Sequence, residues 1–401
     1  MSAFFLPTTE KVIPVKSTLR SKKLNARPET LSASGILFVT MCGLSLGAIA
    51  FAPEVRAADQ PAAKSASMMK TGTQFRAEPD MQAVLDELAS LGGKPIETLT
   101  PAEARKQPTP ADAVMAILKK QGKDTSPTAL VPGVTSVDRQ IPGAVGNIPA
   151  RVYTPDGAGP FPVVVYFHGG GWVIADKQVY DGGARGLSKQ AQAVVVSVDY
   201  RRAPEAKFPA AWDDALAAYK WVATNAASIK GDPMRLALAG ESAGGNLARA
   251  TAVAARDAGL PAPSHVLAVY PVGQTANLDT QSYRDSATAK PLNKAMIGWF
   301  VDKLLATPAD KTDPRLDLVH AKLAGLPPVT IINAQIDPLR EDGALLETAL
   351  KQAGVKVQRK VYPAVTHEFF GMAAVVKEAA DAQKFGGQAL QDSFGKMTAK
   401  R

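Results

Sequence analysis

Cysteine and histidine are scarce in this chain of 401 residues, which contains one cysteine and four histidines. A single cysteine excludes a disulfide within the chain. No cluster of histidine, cysteine and carboxylate side chains has the spacing of a metal site, so no metal is expected. Charged residues make up only 21% of the sequence and hydrophobic residues 46%, which is typical of a globular protein with a sizeable core.

Dense runs of basic residues are also missing, although the formal net charge is +9 at pH 7. Residues 1–57 hold seven Lys or Arg against three acidic residues, so the rest of the chain is only mildly basic. No Lys/Arg run is interleaved with aromatic side chains. This distribution argues against nucleic acid as a partner.

The first 57 residues have the pattern of a targeting segment. A basic stretch that ends near Arg27 precedes an uncharged apolar run at 36–52, and small residues precede a possible cleavage site after Ala57. The pattern predicts a secretory signal peptide over 1–57 and a periplasmic or secreted protein. The alternative is an uncleaved anchor at 36–52, because this run almost suffices to span a bilayer. The membrane would then be contacted only through this segment. The only cysteine, Cys42, lies within it.

The region after the signal is expected to change from flexible to helical. Residues 58–77 are small and polar, and we expect them to be flexible. From residue 78 apolar side chains such as Met81, Val84 and Leu88 recur at helical spacing. Residues 100–103 (Thr-Pro-Ala-Glu) resemble a helix N-cap followed by proline.

From residue 131 the pattern predicts an α/β fold with a mostly parallel sheet covered by helices on both faces. Two strands are expected around a Gly-rich turn within 134–154. Further short apolar runs lie at 162–167, 193–198, 235–239, 265–270, 329–333 and 355–362. Helical stretches such as 209–228 and 243–257 alternate with them. The interval 273–325 is too long for a plain connection and predicts an inserted helical cap, which leaves 131–272 and 326–390 as the core.

Residues 240–244 (Gly-Glu-Ser-Ala-Gly) form a G-x-S-x-G motif directly between a predicted strand and a predicted helix. Such a sharp turn needs glycine where the backbone packs closely, and it exposes the hydroxyl of Ser242. The N-terminus of the following helix favours an anion nearby. Ser242 is therefore the candidate nucleophile.

Residues 168–172 (His-Gly-Gly-Gly-Trp) follow the predicted strand 162–167. Consecutive glycines let backbone N–H groups approach an oxyanion that forms on a substrate. A phosphate-binding loop is the alternative, but it would require Lys and Ser or Thr after the glycines, and Trp172 and Val173 stand there. His168 is interpreted as a structural residue of this loop.

His367 and Asp337 are the candidate partners of Ser242. Each is expected on a loop after a predicted strand, and the carboxyl ends of parallel strands form the ligand crevice. Their order along the chain is nucleophile, acid, histidine, as expected for an α/β-hydrolase. Asp342 is the rival acid, but it is expected within a helix that points elsewhere.

Together these motifs resemble the hormone-sensitive-lipase-like, or family IV, bacterial esterases, a group of α/β-hydrolases. The resemblance runs from about Met81 to Phe385. Besides the motifs above it includes 199–205 (Asp-Tyr-Arg-Arg-Ala-Pro-Glu), 313–315 (Asp-Pro-Arg) and 337–340 (Asp-Pro-Leu-Arg). Three positions depart from the family pattern, namely Glu241, Ala206 and Glu368, which stand where Asp or Thr, His, and Gly are usual.

The resemblance implies an α/β-hydrolase fold with a helical cap made of two parts, 78–130 and 273–325. It implies a serine carboxylesterase that hydrolyses short- to medium-chain acyl esters of small molecules, without a cofactor. The N–H groups of Gly170, Gly171 and Ala243 would form the oxyanion hole. A homodimer is left open.

The apolar side chains near the predicted cap are candidates for the substrate pocket: Trp172, Met296, Trp299 and Phe300. The alternative is that those of the cap helix simply pack it onto the core. Other functions also remain open at this stage, namely a lactonase or an amide-cleaving peptidase on the same triad, or a non-catalytic ligand-binding relative.

Overall fold

The computed structural model describes residues 75–398, which belong to one compact unit that runs from Met69 to Arg401. The predicted signal peptide or anchor within 1–57, Cys42, and all but the last three residues of the segment 58–77 lie outside the described residues. Within 75–398 no helix is both long enough and apolar enough to cross a membrane.

Eight strands form a single sheet within the described residues. Their bounds are β1 Val134–Pro142, β2 Asn147–Pro155, β3 Phe161–Phe167, β4 Val194–Val198, β5 Gly231–Glu241, β6 Val266–Val269, β7 Val329–Ile336 and β8 Val357–Thr366. Their order in space is β1-β2-β4-β3-β5-β6-β7-β8. The six strands β4, β3, β5, β6, β7 and β8 run parallel to one another. β2 is antiparallel both to β1 and to β4. The sheet is therefore mostly parallel, as the alternating pattern predicts.

Helices flank this sheet. Their bounds are α1 Pro79–Ser90, α2 Pro101–Ala104, α3 Pro110–Lys120, α4 Pro127–Leu130, α5 Asp181–Ala191, α6 Ala210–Asn225, α7 Ala243–Asp257, α8 Gln281–Asp285, α9 Lys294–Leu304, α10 Arg340–Gln352 and α11 Lys377–Thr398. Short 3-10 helices lie at Ile96–Thr98, Ala226–Ile229, Pro308–Thr312 and Phe369–Met372.

Both faces of the central strands are buried, because alternate side chains along a strand enter two different hydrophobic clusters. On β3, Val163 and Val165 belong to one cluster, and Val164 and Tyr166 belong to the other. All four side chains are completely buried. This explains why the strands read as continuous apolar runs rather than as alternating ones.

β7 and β8 extend further than the sequence predicts. β8 continues through Pro363 to Thr366, a stretch that was expected to be a loop. Proline cannot donate a hydrogen bond, but β8 lies at the edge of the sheet, where a missing donor is tolerated. β7 continues to Ile336, and after a register shift Ile336 pairs with Thr366.

The helical region 78–122 is divided into α1, a 3-10 helix, α2 and α3. The chain turns after α1 at Gly92, whose φ of +74° is a left-handed conformation that favours glycine. The N-cap expected at Thr100 is confirmed, since Thr100 accepts from the Glu103 N–H and the Glu103 carboxylate accepts from the Thr100 N–H. Within 273–325, the elements are α8, α9 and a 3-10 helix.

Candidate active site

Ser242 lies at the sharp turn where β5 ends and α7 begins. Its φ of +57° and ψ of −119° are strained for a residue with a side chain, and its N–H donates to the Val269 carbonyl over 2.9 Å. A Cβ at Gly240 would overlap the Gly244 carbonyl, and a Cβ at Gly244 would overlap the Phe167 carbonyl. Glycine is therefore required on both sides of the serine.

Asp337 and His367 directly follow the last residues of β7 and β8. Because Ile336 and Thr366 are paired across these two strands, the residues after them leave the sheet side by side. The strand extensions that the sequence did not reveal thus bring the acid next to the histidine. β5 lies two strands away from β7 in the sheet, and it ends one residue before Ser242.

The three candidate residues form a continuous hydrogen-bonded chain. His367 Nδ1 lies 2.8 Å from Asp337 Oδ2, and His367 Nε2 lies 2.9 Å from Ser242 Oγ. All three side chains are buried. Burial opposes a positive charge on the imidazole, but the charge and the hydrogen bond of Asp337 outweigh it and raise the pKa of His367. Such an arrangement can transfer a proton from the serine hydroxyl to the imidazole.

The rival acid, Asp342, lies on α10 and faces a different part of the molecule. Its carboxylate accepts from the N–H of Gly273 over 2.9 Å and from the N–H of Gln274 over 3.4 Å. The side chain is completely buried, and burial raises its pKa to about 8. Asp342 therefore holds the start of the inserted segment 273–325, whereas Asp337 contacts His367.

The loop after β3 runs beside the serine turn, since a Cβ at Gly169 would lie 3.1 Å from the Glu241 carbonyl oxygen. Gly170 and Gly171 have φ values of +90° and +59°, and a Cβ would overlap the Ile174 carbonyl at the first and the Phe300 ring at the second. Within residues 75–398, the N–H groups of Gly170, Gly171 and Ala243 have no hydrogen-bond acceptor. Three backbone donors are thus available to a bound oxyanion.

A cavity of about 460 Å³ lies between the N-terminal helices, the loop after the glycines and the segment that leads into α9. Apolar side chains such as Ile96, Ile174, Leu292 and Met296 line much of it. Glu368, the residue after His367, also lines it, whereas Ser242, Asp337 and His367 are not among its lining residues. A pocket of this size can hold a small organic molecule.

The four pocket candidates have different positions. Within the described residues, the cavity lining includes Met296 but not Trp172, Trp299 or Phe300. Phe300 lies against Gly171, so it limits the space at the loop instead of lining the cavity. Trp299 donates from its indole to the Leu99 carbonyl over 3.2 Å and thereby joins the two parts of the predicted cap.

Trp172 departs most from the expectation of a pocket residue. Its indole stacks on Trp212, with ring centroids 5.3 Å apart, and is 2% exposed in the main hydrophobic cluster. The left-handed backbone of this residue, with φ of +60°, turns the side chain toward the core. The sequence motif did not indicate that the Trp172 side chain points to the core instead of the pocket.

His168 has the structural role expected of it. Its ring stacks on Tyr200 with centroids 4.4 Å apart, and its Nδ1 lies 2.8 Å from the Gly169 carbonyl oxygen. Burial lowers its pKa, so the ring is neutral. His265 and His320 contact Thr330 and Asp317, respectively. No group of His, Cys, Asp and Glu within 75–398 has the arrangement of a metal site.

One connection near the site was missed by the sequence analysis. Arg105, just after α2, donates to the carbonyls of Val173 and Ala203 over 2.8 Å and forms a two-pronged ion pair with Glu205. The hydrogen bonds from Arg105 lower the pKa of Glu205 to about 2. Glu205 belongs to the motif at 199–205, but its partner is 100 residues away and no local pattern reveals it.

Comparison with known proteins places this site in a family. Residues 164–371 match a family described by its alpha/beta hydrolase fold. Carboxylesterase NlhH of Mycobacterium tuberculosis is 39% identical over 289 residues, which cover 71% of this chain and 90% of that relative. The ethyl acetate hydrolase of Pseudomonas putida is 33% identical over 325 residues, covering 78% of this chain and 98% of that protein.

Solved structures agree with these relatives. An esterase of Pyrobaculum calidifontis superimposes with a TM-score of 0.70 at 33% sequence identity, covering 79% of this chain and 98% of that chain. The chain belongs to the α/β-hydrolase superfamily and, within it, to the hormone-sensitive-lipase-like (family IV) bacterial esterases. It is a carboxylic ester hydrolase, and the predictions of fold class and of family are confirmed.

Proposed function

We propose that this enzyme is a serine carboxylesterase in which Ser242 is the nucleophile, His367 the general base and acid, and Asp337 the residue that orients the histidine. The hydrogen-bonded chain of these three side chains carries the proposal. The preferred substrates are small-molecule esters with short to medium acyl chains.

In the acylation step, His367 removes the proton from the Ser242 hydroxyl as the oxygen attacks the ester carbonyl. Asp337 stabilises the imidazolium that forms, and the negative charge on the carbonyl oxygen is held by the N–H groups of Gly170, Gly171 and Ala243. Each such donor contributes roughly 3–4 kcal/mol in comparable sites. His367 then gives its proton to the leaving alcohol, and the acyl group remains on Ser242.

In the deacylation step, water takes the place of the alcohol. His367 removes a proton from water as the water oxygen attacks the acyl carbonyl, and the same backbone donors hold the oxyanion. The bond to Ser242 Oγ breaks, and the proton returns to the serine. These residues complete the cycle without a metal or an organic cofactor.

The substrate class rests on the cavity beside Glu368. Its volume of about 460 Å³ and the aliphatic side chains among its lining residues suit an acyl chain of a few carbons, although charged and polar residues also line it. A relative from Pseudomonas putida is named as an ethyl acetate hydrolase, and that name describes an ester with a short acyl chain.

The first test is the variant Ser242→Ala. Hydrolysis of p-nitrophenyl butyrate should fall by a factor on the order of 10⁴–10⁶, with the melting temperature almost unchanged. A fluorophosphonate probe should label the wild-type enzyme and not the variant. If the variant kept more than about a tenth of the activity, Ser242 would not be the nucleophile.

A lactonase, an amide-cleaving peptidase and a non-catalytic ligand-binding relative are the alternatives. The intact chain from Ser242 to Asp337 favours catalysis over simple ligand binding. Matched substrates distinguish an esterase from a lactonase and a peptidase. The values of kcat/KM are compared for an ester, its amide and a lactone with the same number of acyl carbons. A higher kcat/KM for the amide or the lactone would overturn the ester proposal.

We also propose that residues 1–57 direct export to the periplasm or the medium, with a membrane anchor at 36–52 as the alternative. The basic stretch, the apolar run and the small residues before position 58 support this proposal.

A further inference from the structure

Two glutamates lie next to the triad in sequence and are held by buried tyrosines. Glu241, the residue before Ser242, accepts from the hydroxyls of Tyr166 and Tyr270, one at each carboxylate oxygen. Glu368, the residue after His367, accepts from the Tyr180 hydroxyl over 3.0 Å. The reaction described above uses neither glutamate.

The hydrogen bonds that Glu241 accepts favour its negative charge, whereas its burial opposes that charge. Burial raises the pKa of Tyr166 and of Tyr270 far above its usual value, so both hydroxyls keep their protons and act as donors. Each hydroxyl that donates to a carboxylate oxygen stabilises the ionised form of the carboxyl group. Burial raises the pKa of Glu241 to about 7, against the two hydrogen bonds, so the charge is present above neutral pH.

Glu241 is connected to His367 through Tyr270. The Tyr270 ring lies 4.5 Å from the imidazole ring, and the hydroxyl of the same side chain holds the Glu241 carboxylate. Glu368 lies on the other side, directly after the histidine, with a left-handed backbone at φ of +68°. The imidazole therefore lies among three carboxyl groups, of which only Asp337 is hydrogen-bonded to it.

The charged and titratable groups around the imidazole come from several elements. They are Glu241 at the end of β5, Tyr270 after β6, Asp337 after β7, Glu368 after β8 and Tyr180 before α5, with Asp342 and Tyr283 beyond Asp337. The three carboxylates nearest to His367 all favour its protonated form, and Glu368 and Glu241 add to the effect of Asp337 in raising its pKa.

We propose that Glu241 and Glu368 are positioning residues that stabilise the imidazolium of His367 during proton transfer, and that they set the pH at which activity begins. The inference rests on the proposed role of His367 as general base. A buried negative charge near the ring acts without touching the substrate, because less water screens it than at the protein surface.

The direction of the effect follows from the charge. His367 acts as a base only when it is neutral, so activity appears as the pH rises through its pKa. Removing a nearby negative charge lowers this pKa and moves the acid limb of the pH profile to lower pH. It also removes stabilisation from the imidazolium, so the rate at the plateau falls. A purely structural role would lower the plateau and leave the acid limb in place.

The test measures kcat/KM for p-nitrophenyl butyrate between pH 5 and pH 9 in Glu241→Gln and in Glu368→Gln. In each variant the acid limb should move down by about half to one pH unit, and the plateau should fall by roughly tenfold or less. Glu347→Gln is the matched control, because Glu347 pairs with Lys351 and Arg359 on the outer part of the molecule. Its profile should match that of the wild type.

Tyr270→Phe is a second variant that tests the role of Glu241 even if Glu241→Gln does not fold. It keeps the aromatic ring beside His367 and removes one hydrogen bond from Glu241, so the charge of Glu241 is lost at a higher pH. The acid limb should again move down, by less than in Glu241→Gln. Unmoved acid limbs in the folded variants would overturn the inference. Fluorophosphonate labelling of the wild type checks the proposed function separately, since absent labelling would remove the nucleophile itself.

Discussion

At the scale of single residues, two buried aspartates five positions apart have different partners. Asp337 contacts His367, whereas Asp342 accepts from backbone N–H groups at the start of the inserted segment. We expect Asp337→Asn to reduce turnover by a factor on the order of 10⁴, because the imidazole loses its orienting charge. Asp342→Asn should change turnover little. Steady-state kinetics of the two variants checks this, and the reverse order would exchange their roles.

Asp342 should instead control how stability depends on pH. Its pKa is about 8 in the folded protein, against about 4 in an unfolded chain. Between these values the folded state keeps a proton that the unfolded state releases, so the free energy of unfolding falls as the pH rises from about 4 to about 8. Each pH unit in this window costs up to about 1.4 kcal/mol. Asp342→Asn should remove the part of this dependence that comes from Asp342, and the part that comes from Glu241 should remain.

Denaturant unfolding at pH 5, 6.5 and 8 measures the effect. Asp213→Asn is the control, because Asp213 is exposed on α6 and its charge is solvated in both states. The wild type and this control should lose stability in parallel as the pH rises. A wild-type enzyme as stable at pH 8 as at pH 5 would contradict the prediction.

The candidate triad could be predicted because the chemistry proposed for its residues is tied to local motifs and to their order along the chain. The partners of Glu241 could not be predicted, because Tyr166 lies on β3 and Tyr270 directly follows β6, and only the register of the sheet brings them to Glu241. The position of the Trp172 side chain could not be predicted from the sequence either. Its position after the glycines suggested the pocket, but one left-handed backbone angle directs the indole to Trp212 instead.

At the scale of elements, the cavity next to α9 should limit acyl length. Each buried methylene contributes about 0.8 kcal/mol, so kcat/KM should rise about fourfold per added carbon until the cavity is full, and then fall. Met296 lines this cavity, and Met296→Ala should move the optimum to a longer acyl chain. A series of p-nitrophenyl esters from acetate to palmitate measures the optimum.

Met234→Ala is the control for this series, because Met234 is 55% exposed and lies outside the cavity lining. Its optimum should equal that of the wild type. Activity that kept rising to palmitate, with activation at an oil interface, would indicate a true lipase and contradict the proposed substrate class.

The order and type of elements were predictable because apolar runs and capping residues are local signals, as at Thr100. The ends of β7 and β8 were not predictable. The two strands extend over residues 334–336 and 363–366 because they pair with each other, and the local sequence does not reveal this pairing. These extensions bring Asp337 beside His367. The sequence therefore predicted which residues meet but not how the sheet brings them together.

At the scale of the whole molecule, we propose that the N-terminal segment determines the compartment in which the enzyme acts. We expect the mature protein to begin near Ala58, because small residues precede this position after an apolar run. Mass spectrometry of the protein from its native compartment gives its N-terminus directly. An intact N-terminus in the membrane fraction would show the anchor instead of a cleaved signal.

The contacts of Arg105 with Val173, Ala203 and Glu205 also affect how the N-terminal helical region of this enzyme could be exchanged. Arg105 belongs to the N-terminal helical region, but it satisfies the carbonyls of Val173 and Ala203, close to the glycines of the oxyanion loop. Replacing residues 78–130 with the equivalent region of another esterase would leave these acceptors and Glu205 unpaired unless an arginine returned to the same place. An exchanged N-terminal region would therefore need an arginine that reaches the same carbonyl groups as Arg105.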